Sequence, residues 1–95
     1  MKQTKVVHLR KESYDVRIDR QTRFGNPFRI GFDGDREEVI NKYSRWLKGE
    51  AYFTFKQLQR QWVLEHLHQL KGKKLGCWCK PEPCHGDILV EMIKE

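Results

Sequence analysis

The sequence has no long apolar run, no basic tail and few cysteines, and each absence excludes a class of protein. No stretch approaches the ~20 consecutive apolar residues that span a bilayer, and the first residues lack the apolar core of a secretory signal. No run of five lysines or arginines occurs, so the charge is dispersed rather than gathered in a disordered tail. We therefore expect a cytoplasmic protein that does not enter a membrane.

Cysteine is scarce and is confined to one segment. The chain has three cysteines, and all of them lie between residues 77 and 84. A disulfide framework would distribute its bridges along the chain, and an odd count leaves one thiol over. The pattern therefore indicates reduced thiols that serve packing, metal binding or catalysis.

The composition predicts one small domain with a basic surface. A length of 95 residues suits a single domain over residues 1–95. Hydrophobic residues make up 38% of the chain and charged residues 34%, so the core is modest and depends on aromatic side chains. The net charge of +6 favours contact with phosphate in a nucleotide or nucleic acid, or with an acidic partner. The alternative is a basic surface that is merely solvated.

The first third of the chain predicts two strands and a long loop. Residues 5–10 have the composition of a short strand, and residues 14–19 alternate apolar and polar side chains with the period of a second strand. The short link between them is compatible with a hairpin. Residues 20–34 form a loop of a length that is often functional. We expect its apolar side chains to pack on the core: Phe24, Phe28, Ile30 and Phe32.

The middle of the chain predicts two helices. Asp35 and Glu38 have the spacing of a capping box, and the first helix ends at Gly49. A second helix covers residues 53–70 and ends before Gly72. Both helices carry apolar residues at helical spacing on their buried side: Val39, Ile40, Tyr43, Trp46 and Leu47 on the first, and Phe55, Leu58, Trp62, Val63, Leu67 and Leu70 on the second.

The last quarter predicts a strand, a tight loop and a helix. Residues 74–79 form the third strand, with Cys77 and Cys79 on one face and Trp78 on the other, where we expect it in the core. The last helix begins at Cys84 or His85. The predicted fold is therefore α/β, a small three-stranded mixed sheet covered by about three helices in the order β-β-α-α-β-α.

Four metal-ligand side chains follow one another within nine residues. Zn²⁺ takes four nitrogen or sulfur donors at the corners of a tetrahedron, and Cys77, Cys79, Cys84 and His85 supply that number. The paired CxxC spacing of common zinc sites is missing, and adjacent Cys and His side chains rarely reach one ion together. A buried, purely structural role for the cysteines is the alternative.

A second interpretation of this segment uses its place before a helix. Amides at a helix N-terminus favour anions, and a cysteine there can become a nucleophile, especially beside a histidine. Cys84 and His85 have this placement, Gly86 allows a ligand close to the backbone, and Asp87 could cap the helix or act as an acid or base. The predicted catalytic residues are Cys84, His85 and Asp87.

Arginines surround a Gly-Asn-Pro-Phe turn in the long loop. They are Arg17, Arg20, Arg23 and Arg29, and arginines near such a turn could bind a phosphate bidentately. The predicted ligand-binding residues here are Arg17, Arg20 and Arg23, together with Asn26 in the turn. Gly86 would join these ligand-binding residues if the loop meets the last turn in space. Otherwise the arginines form a solvated basic face.

The motifs together resemble the domain of unknown function 4326 family of bacteria and their phages. The resemblance extends over almost the whole chain, and its most specific part is Leu-Gly-Cys-Trp-Cys followed by Pro-Cys-His-Gly-Asp at residues 75–79 and 83–87. Gly25-Asn26-Pro27-Phe28 also carries it, whereas Asp19 and Phe24 stand where the family often has glycine and tryptophan. The family name implies no activity.

Three functions stay open at this point. The first is binding of a nucleotide or nucleic acid by the turn at residues 77–87 and the loop at residues 20–28. The second is an enzyme that acts on a nucleotide or nucleoside through Cys84, His85 and Asp87. The third is a zinc-stabilised module that binds a host or phage protein.

Overall fold

The computed structural model describes residues 3–94 and forms a three-stranded sheet with three α-helices. The strands are β1 (Lys5–His8), β2 (Val16–Arg17) and β3 (Lys74–Cys77). The helices are α1 (Arg36–Leu47), α2 (Gln57–His66) and α3 (Gly86–Lys94), and a 3₁₀ helix follows α2 at Leu67–Leu70. The fold class and the order of the elements are as predicted.

The sheet is parallel throughout rather than mixed, and the hairpin with which the short link between the first two strands was compatible does not form. β3 lies in the centre and pairs in parallel with β1 on one side and β2 on the other. Residues 9–15 therefore connect two strands that do not touch. Their side chains cover β3 at Gly76, where a Cβ would lie 2.5 Å from Leu9 Cδ2 and 2.9 Å from Tyr14 Cγ. A side chain at position 76 would therefore require Leu9 and Tyr14 to shift.

The first helix begins as the sequence predicts. The Asp35 carboxylate accepts from the Glu38 amide at 2.8 Å, and the Glu38 carboxylate accepts from the Asp35 amide at 3.0 Å. These two bonds form the predicted capping box. The buried side of the helix carries Tyr43 and Trp46, both fully buried.

The second helix is shorter at its start than predicted. Its N-cap, Lys56, has a left-handed backbone with φ 44°, so the chain before Gln57 is not helical. Leu58, the second residue of α2, is 85% exposed rather than buried as predicted. In the preceding loop, Phe24 and Phe28 are in the core as predicted, whereas Ile30 and Phe32 are exposed.

The core lies between the sheet and the helices. Leu75 and Cys77 of β3 face it, and α3 packs on β1 while α1 packs on both other helices. Among residues 3–94, no helix is both long enough and apolar enough to cross a membrane.

Candidate functional site

The three cysteines and His85 come together where β3 ends and α3 begins. Cys84 Sγ lies 3.1 Å from Cys77 Sγ, and Cys77 Sγ lies 3.6 Å from Cys79 Sγ. The ligand atoms of Cys77, Cys84 and His85 all lie within 4.8 Å of one another. Cys79 lies beyond the end of β3 and is half-buried, whereas the other three residues are buried. Cys79 is not one of these three residues and adjoins them through its contact with Cys77. The structure thus brings the four predicted metal ligands to one place, which we call the Cys/His cluster.

The His85 ring is fixed by its backbone contact. Its Nε2 lies 2.7 Å from the carbonyl oxygen of Ile18, and its Nδ1 lies 3.6 Å from Cys84 Sγ. A carbonyl oxygen only accepts, so Nε2 carries the proton and Nδ1 presents a lone pair to the sulfur. Burial lowers the pKa of His85, which keeps the ring neutral.

The thiols form a directed chain of hydrogen bonds. Cys84 donates to Cys77, which donates to Cys79. These bonds lower the pKa of the Cys79 thiol, and bonding to its two neighbours together with burial raises the pKa of Cys84. Cys79 is therefore the most acidic and most accessible thiol, whereas Cys84, which we predicted as a nucleophile, is fully buried.

Backbone amides at the start of α3 donate to nearby side chains. The Asp87 carboxylate accepts from the Cys84 amide at 3.0 Å and from Lys80 Nζ at 2.8 Å. The Gly86 amide donates to Cys84 Sγ at 3.4 Å, and a Cβ on Gly86 would lie 2.6 Å from Ile18 Cδ1. These contacts give Asp87 a capping role and Gly86 a packing role, and they occupy amides that an anion would need.

A small hollow opens beside the Cys/His cluster. Its volume is about 220 Å³, and Cys77, Cys79, Cys84 and His85 line it. Arg20 of the long loop and Arg36, the first residue of α1, line it too. The predicted meeting of the arginine loop with the last turn therefore occurs in the structure.

A wider cleft adjoins this hollow. Its volume is about 770 Å³, and Arg20 and Asn26 line both spaces. The cleft carries four basic residues and no Asp or Glu, and we call it the basic cleft: Arg20, Arg23, Arg29 and Lys56. Arg23 lies over the Trp62 ring, 5.5 Å from its centroid.

The predicted ligand-binding residues fall into two groups. Arg20 and Arg23 face the basic cleft and are exposed. Arg17 is paired with Asp19 at 2.6 Å, and both functional atoms of Asn26 bond to the backbone, to Val39 O at 3.0 Å and Phe28 N at 2.9 Å. The second group therefore holds the fold rather than presenting free donors.

Sequence reasoning missed two basic residues of the site. Arg36 enters the hollow from the start of α1, and Lys56 enters the basic cleft from the turn before α2. Side chains in the first turn of a helix point back towards its N-terminus. The capping box marks Arg36 as the first helical residue, so the sequence did contain a signal that this side chain extends beyond the start of α1. Nothing local marks Lys56, because its position depends on a left-handed backbone.

Trp78 is 48% exposed, so its predicted place in the core is wrong. Its indole Nε1 donates to Asp19 Oδ2 at 2.9 Å, and the ring meets His8 edge-on. Arg17 donates twice to the same carboxylate, at 3.1 and 2.6 Å. Asp19 thus joins β2, the long loop and the end of β3.

We expect Asp19 to make stability fall at acid pH. Its hydrogen bonds from Arg17 lower the pKa of the carboxyl below the ordinary 3.8, so the unfolded chain binds the proton more readily. The stabilisation is complete above about pH 4 and is lost as the pH falls through the lower folded pKa. Urea unfolding of wild type and Asp19→Asn should differ by about 2 kcal/mol at neutral pH. A difference that stays constant down to about pH 2 would contradict this assignment.

Fold and site together define a small α/β protein with a Cys/His cluster beside a basic cleft. The sequence profile described as "Domain of unknown function (DUF4326)" matches residues 1–95. The chain therefore belongs to the DUF4326 family, as the sequence motifs indicated.

Two viral proteins are similar to this chain. An uncharacterized 12.4 kDa protein in the nrdA-td intergenic region of Enterobacteria phage T4 is 37% identical over 90 residues, which cover 94% of this chain and 76% of the phage protein. An uncharacterized protein of Acanthamoeba polyphaga mimivirus is 28% identical over 101 residues, covering 87% of this chain and 69% of the viral protein. No solved structure matches significantly.

Proposed function

We propose that this protein binds a phosphate-bearing ligand, a nucleotide or a nucleic acid, in the basic cleft. The observation that carries the proposal is the lining of the cleft, which holds four basic side chains and no carboxylate. Positive charges gathered on one concave surface raise the local concentration of anions. The three cysteines form no disulfide, which suits the reducing cytoplasm in which such ligands occur.

The charges of the cleft are available to a ligand. Within residues 3–94, no side chain of the four forms an ion pair with a carboxylate. The surface pairs that do form lie elsewhere, at Arg17–Asp19, Lys48–Glu91 and Lys80–Asp87. A phosphate would therefore bind without first displacing an internal carboxylate.

The loop that carries the arginines is held in place. Gln59 of α2 donates to the carbonyl oxygens of Arg23 and Gly25 at 3.0 and 3.2 Å. Tyr43 of α1 donates to Phe24 O at 3.0 Å, and Asn26 is bonded on both sides. Side chains on a fixed loop lose less entropy when a ligand binds. This arrangement supports a preformed phosphate site.

The hollow beside the cleft suits the uncharged end of such a ligand. At about 220 Å³ it is smaller than a drug-sized pocket, which usually has ~300–1,000 Å³. Phe28, Ile30 and Trp78 contribute apolar wall, and Arg20 stands between the two spaces. A phosphate in the cleft would thus leave room for one base or sugar in the hollow.

The direct test compares cleft variants with a matched arginine outside the cleft. Binding of fluorescent single-stranded DNA and of a nucleoside triphosphate is measured for wild type, Arg20→Ala, Arg23→Ala and Arg45→Ala. Arg45 is exposed on α1 and does not line the cleft. We expect each cleft variant to weaken binding by about tenfold, or about 1.4 kcal/mol, and Arg45→Ala to bind almost like wild type.

The two ligands separate the two sources of phosphate. Binding of the oligonucleotide alone assigns a nucleic acid, and binding of the triphosphate alone assigns a nucleotide. Equal weakening in all three variants would contradict the proposal, because it would show a general charge effect. Absence of binding of both ligands at low salt would contradict it outright.

A further inference from the structure

Three residues of the Cys/His cluster, Cys77, Cys84 and His85, lie close enough together to bind one metal ion, and Cys79 adjoins them. In a zinc site with Zn–S of about 2.3 Å and Zn–N of about 2.0 Å, neighbouring sulfurs lie about 3.8 Å apart, and sulfur and nitrogen about 3.5 Å apart. Here Cys77 Sγ and Cys79 Sγ are 3.6 Å apart, and Cys84 Sγ and His85 Nδ1 are also 3.6 Å apart. The Cys77–Cys84 distance of 3.1 Å is shorter and would have to lengthen by about 0.7 Å around an ion.

His85 has the orientation of a metal ligand. Metal-bound imidazoles commonly donate their second ring N–H to a backbone carbonyl or a carboxylate, which fixes the ring and its tautomer. The contact of Nε2 with Ile18 O at 2.7 Å is of this kind, and it leaves the Nδ1 lone pair facing Cys84 Sγ. This observation removes the objection that neighbouring Cys and His side chains cannot point at one centre.

The surroundings compensate the charge of such a site. Three thiolates and one divalent ion carry a net charge of −1, which burial would make unfavourable without a counter-charge. Arg20 and Arg36 line the same hollow, and Arg36 Nη1 donates to Pro83 O at 3.3 Å beside the cluster. The Gly86 amide also donates to Cys84 Sγ at 3.4 Å, a bond that stabilises a thiolate.

We propose that Cys77, Cys79, Cys84 and His85 bind one zinc ion in a closed site that fastens the end of β3 to the start of α3. Soft thiolates with one imidazole select zinc over magnesium or calcium. Four protein ligands are typical of structural zinc, which stabilises a fold without leaving an open position for a substrate. None of the four zinc ligands is a basic residue of the cleft, so either proposal can fail without the other, although Arg20 lines both spaces.

The first test measures metal content in protein purified without a histidine tag from zinc-supplemented cells. We expect one zinc per chain in wild type and in the control His68→Ala, whose histidine is exposed outside the cluster, and loss of zinc in His85→Ala. Wild-type protein that stays free of zinc after reconstitution would overturn the proposal. So would a folded His85→Ala variant that keeps a full equivalent.

The second test begins with the wild-type protein and does not depend on the folding of His85→Ala. Metal-stripped wild type is titrated with Co²⁺, and we expect the intense visible bands of tetrahedral cobalt together with thiolate-to-cobalt charge transfer. In Cys79→Ser the charge-transfer intensity should fall by about a third, since two thiolates of three remain. Weak bands of six-coordinate cobalt in wild type, or unchanged intensity in Cys79→Ser, would overturn the four-ligand site. Oligonucleotide affinity, measured on the same samples, reports separately on the basic cleft.

Discussion

Replacing Trp46 with alanine is expected to destabilise the protein by about 3–5 kcal/mol. The indole is fully buried, and it packs against Tyr43 and Phe28 with ring centroids 5.7 and 6.4 Å away. Its Nε1 also donates to Phe55 O at 2.7 Å, so the variant leaves a carbonyl without its partner. Domains of this size have about 5–15 kcal/mol in total, so the variant should be close to unfolding.

Urea unfolding of Trp46→Ala is best compared with Phe32→Ala. Phe32 is an aromatic residue that is 85% exposed, so its truncation should change the free energy of unfolding by no more than about 0.5 kcal/mol. A loss below about 1 kcal/mol in Trp46→Ala would contradict the assignment of Trp46 as the centre of the core.

The second large effect that we expect is a loss of affinity for single-stranded DNA as the salt concentration rises. If all four basic residues of the cleft contact phosphates, the logarithm of the association constant for single-stranded DNA should fall with log salt at a slope of about −2.8. Affinity would then drop about fifty-fold between about 50 and 200 mM salt, because released counterions favour binding less as salt rises. A nucleoside triphosphate with fewer contacts should show a shallower slope.

Local sequence signals predicted the helices well and the sheet poorly. Asp35 and Glu38 are three residues apart, so their capping box can be recognised without any tertiary contact. Strand pairing is not local, and the short link between β1 and β2 favoured a hairpin. Gly76 is the one local signal that residues 9–15 pass over β3, since a side chain at position 76 would lie too close to Leu9 and Tyr14.

The part of the candidate site that is local in sequence could be predicted, and the part that depends on distant residues could not. The Cys/His cluster could be recognised in the sequence because its four residues lie within one short segment, residues 77–85. Arg36 and Lys56 could not, because they reach the site from distant elements. Trp78 was misplaced because period-two alternation identifies the face of a strand but does not show whether that face is covered.

The most direct test of phosphate binding in the basic cleft is the salt slope of wild type against the double variant Arg20→Ala/Arg23→Ala. Both residues line the cleft, and removing two of its four charges should halve the slope for single-stranded DNA, from about −2.8 to about −1.4. The slope counts contacts, so it separates lost phosphate contacts from a general loss of affinity. Equal slopes in the two proteins would show that the phosphates lie elsewhere.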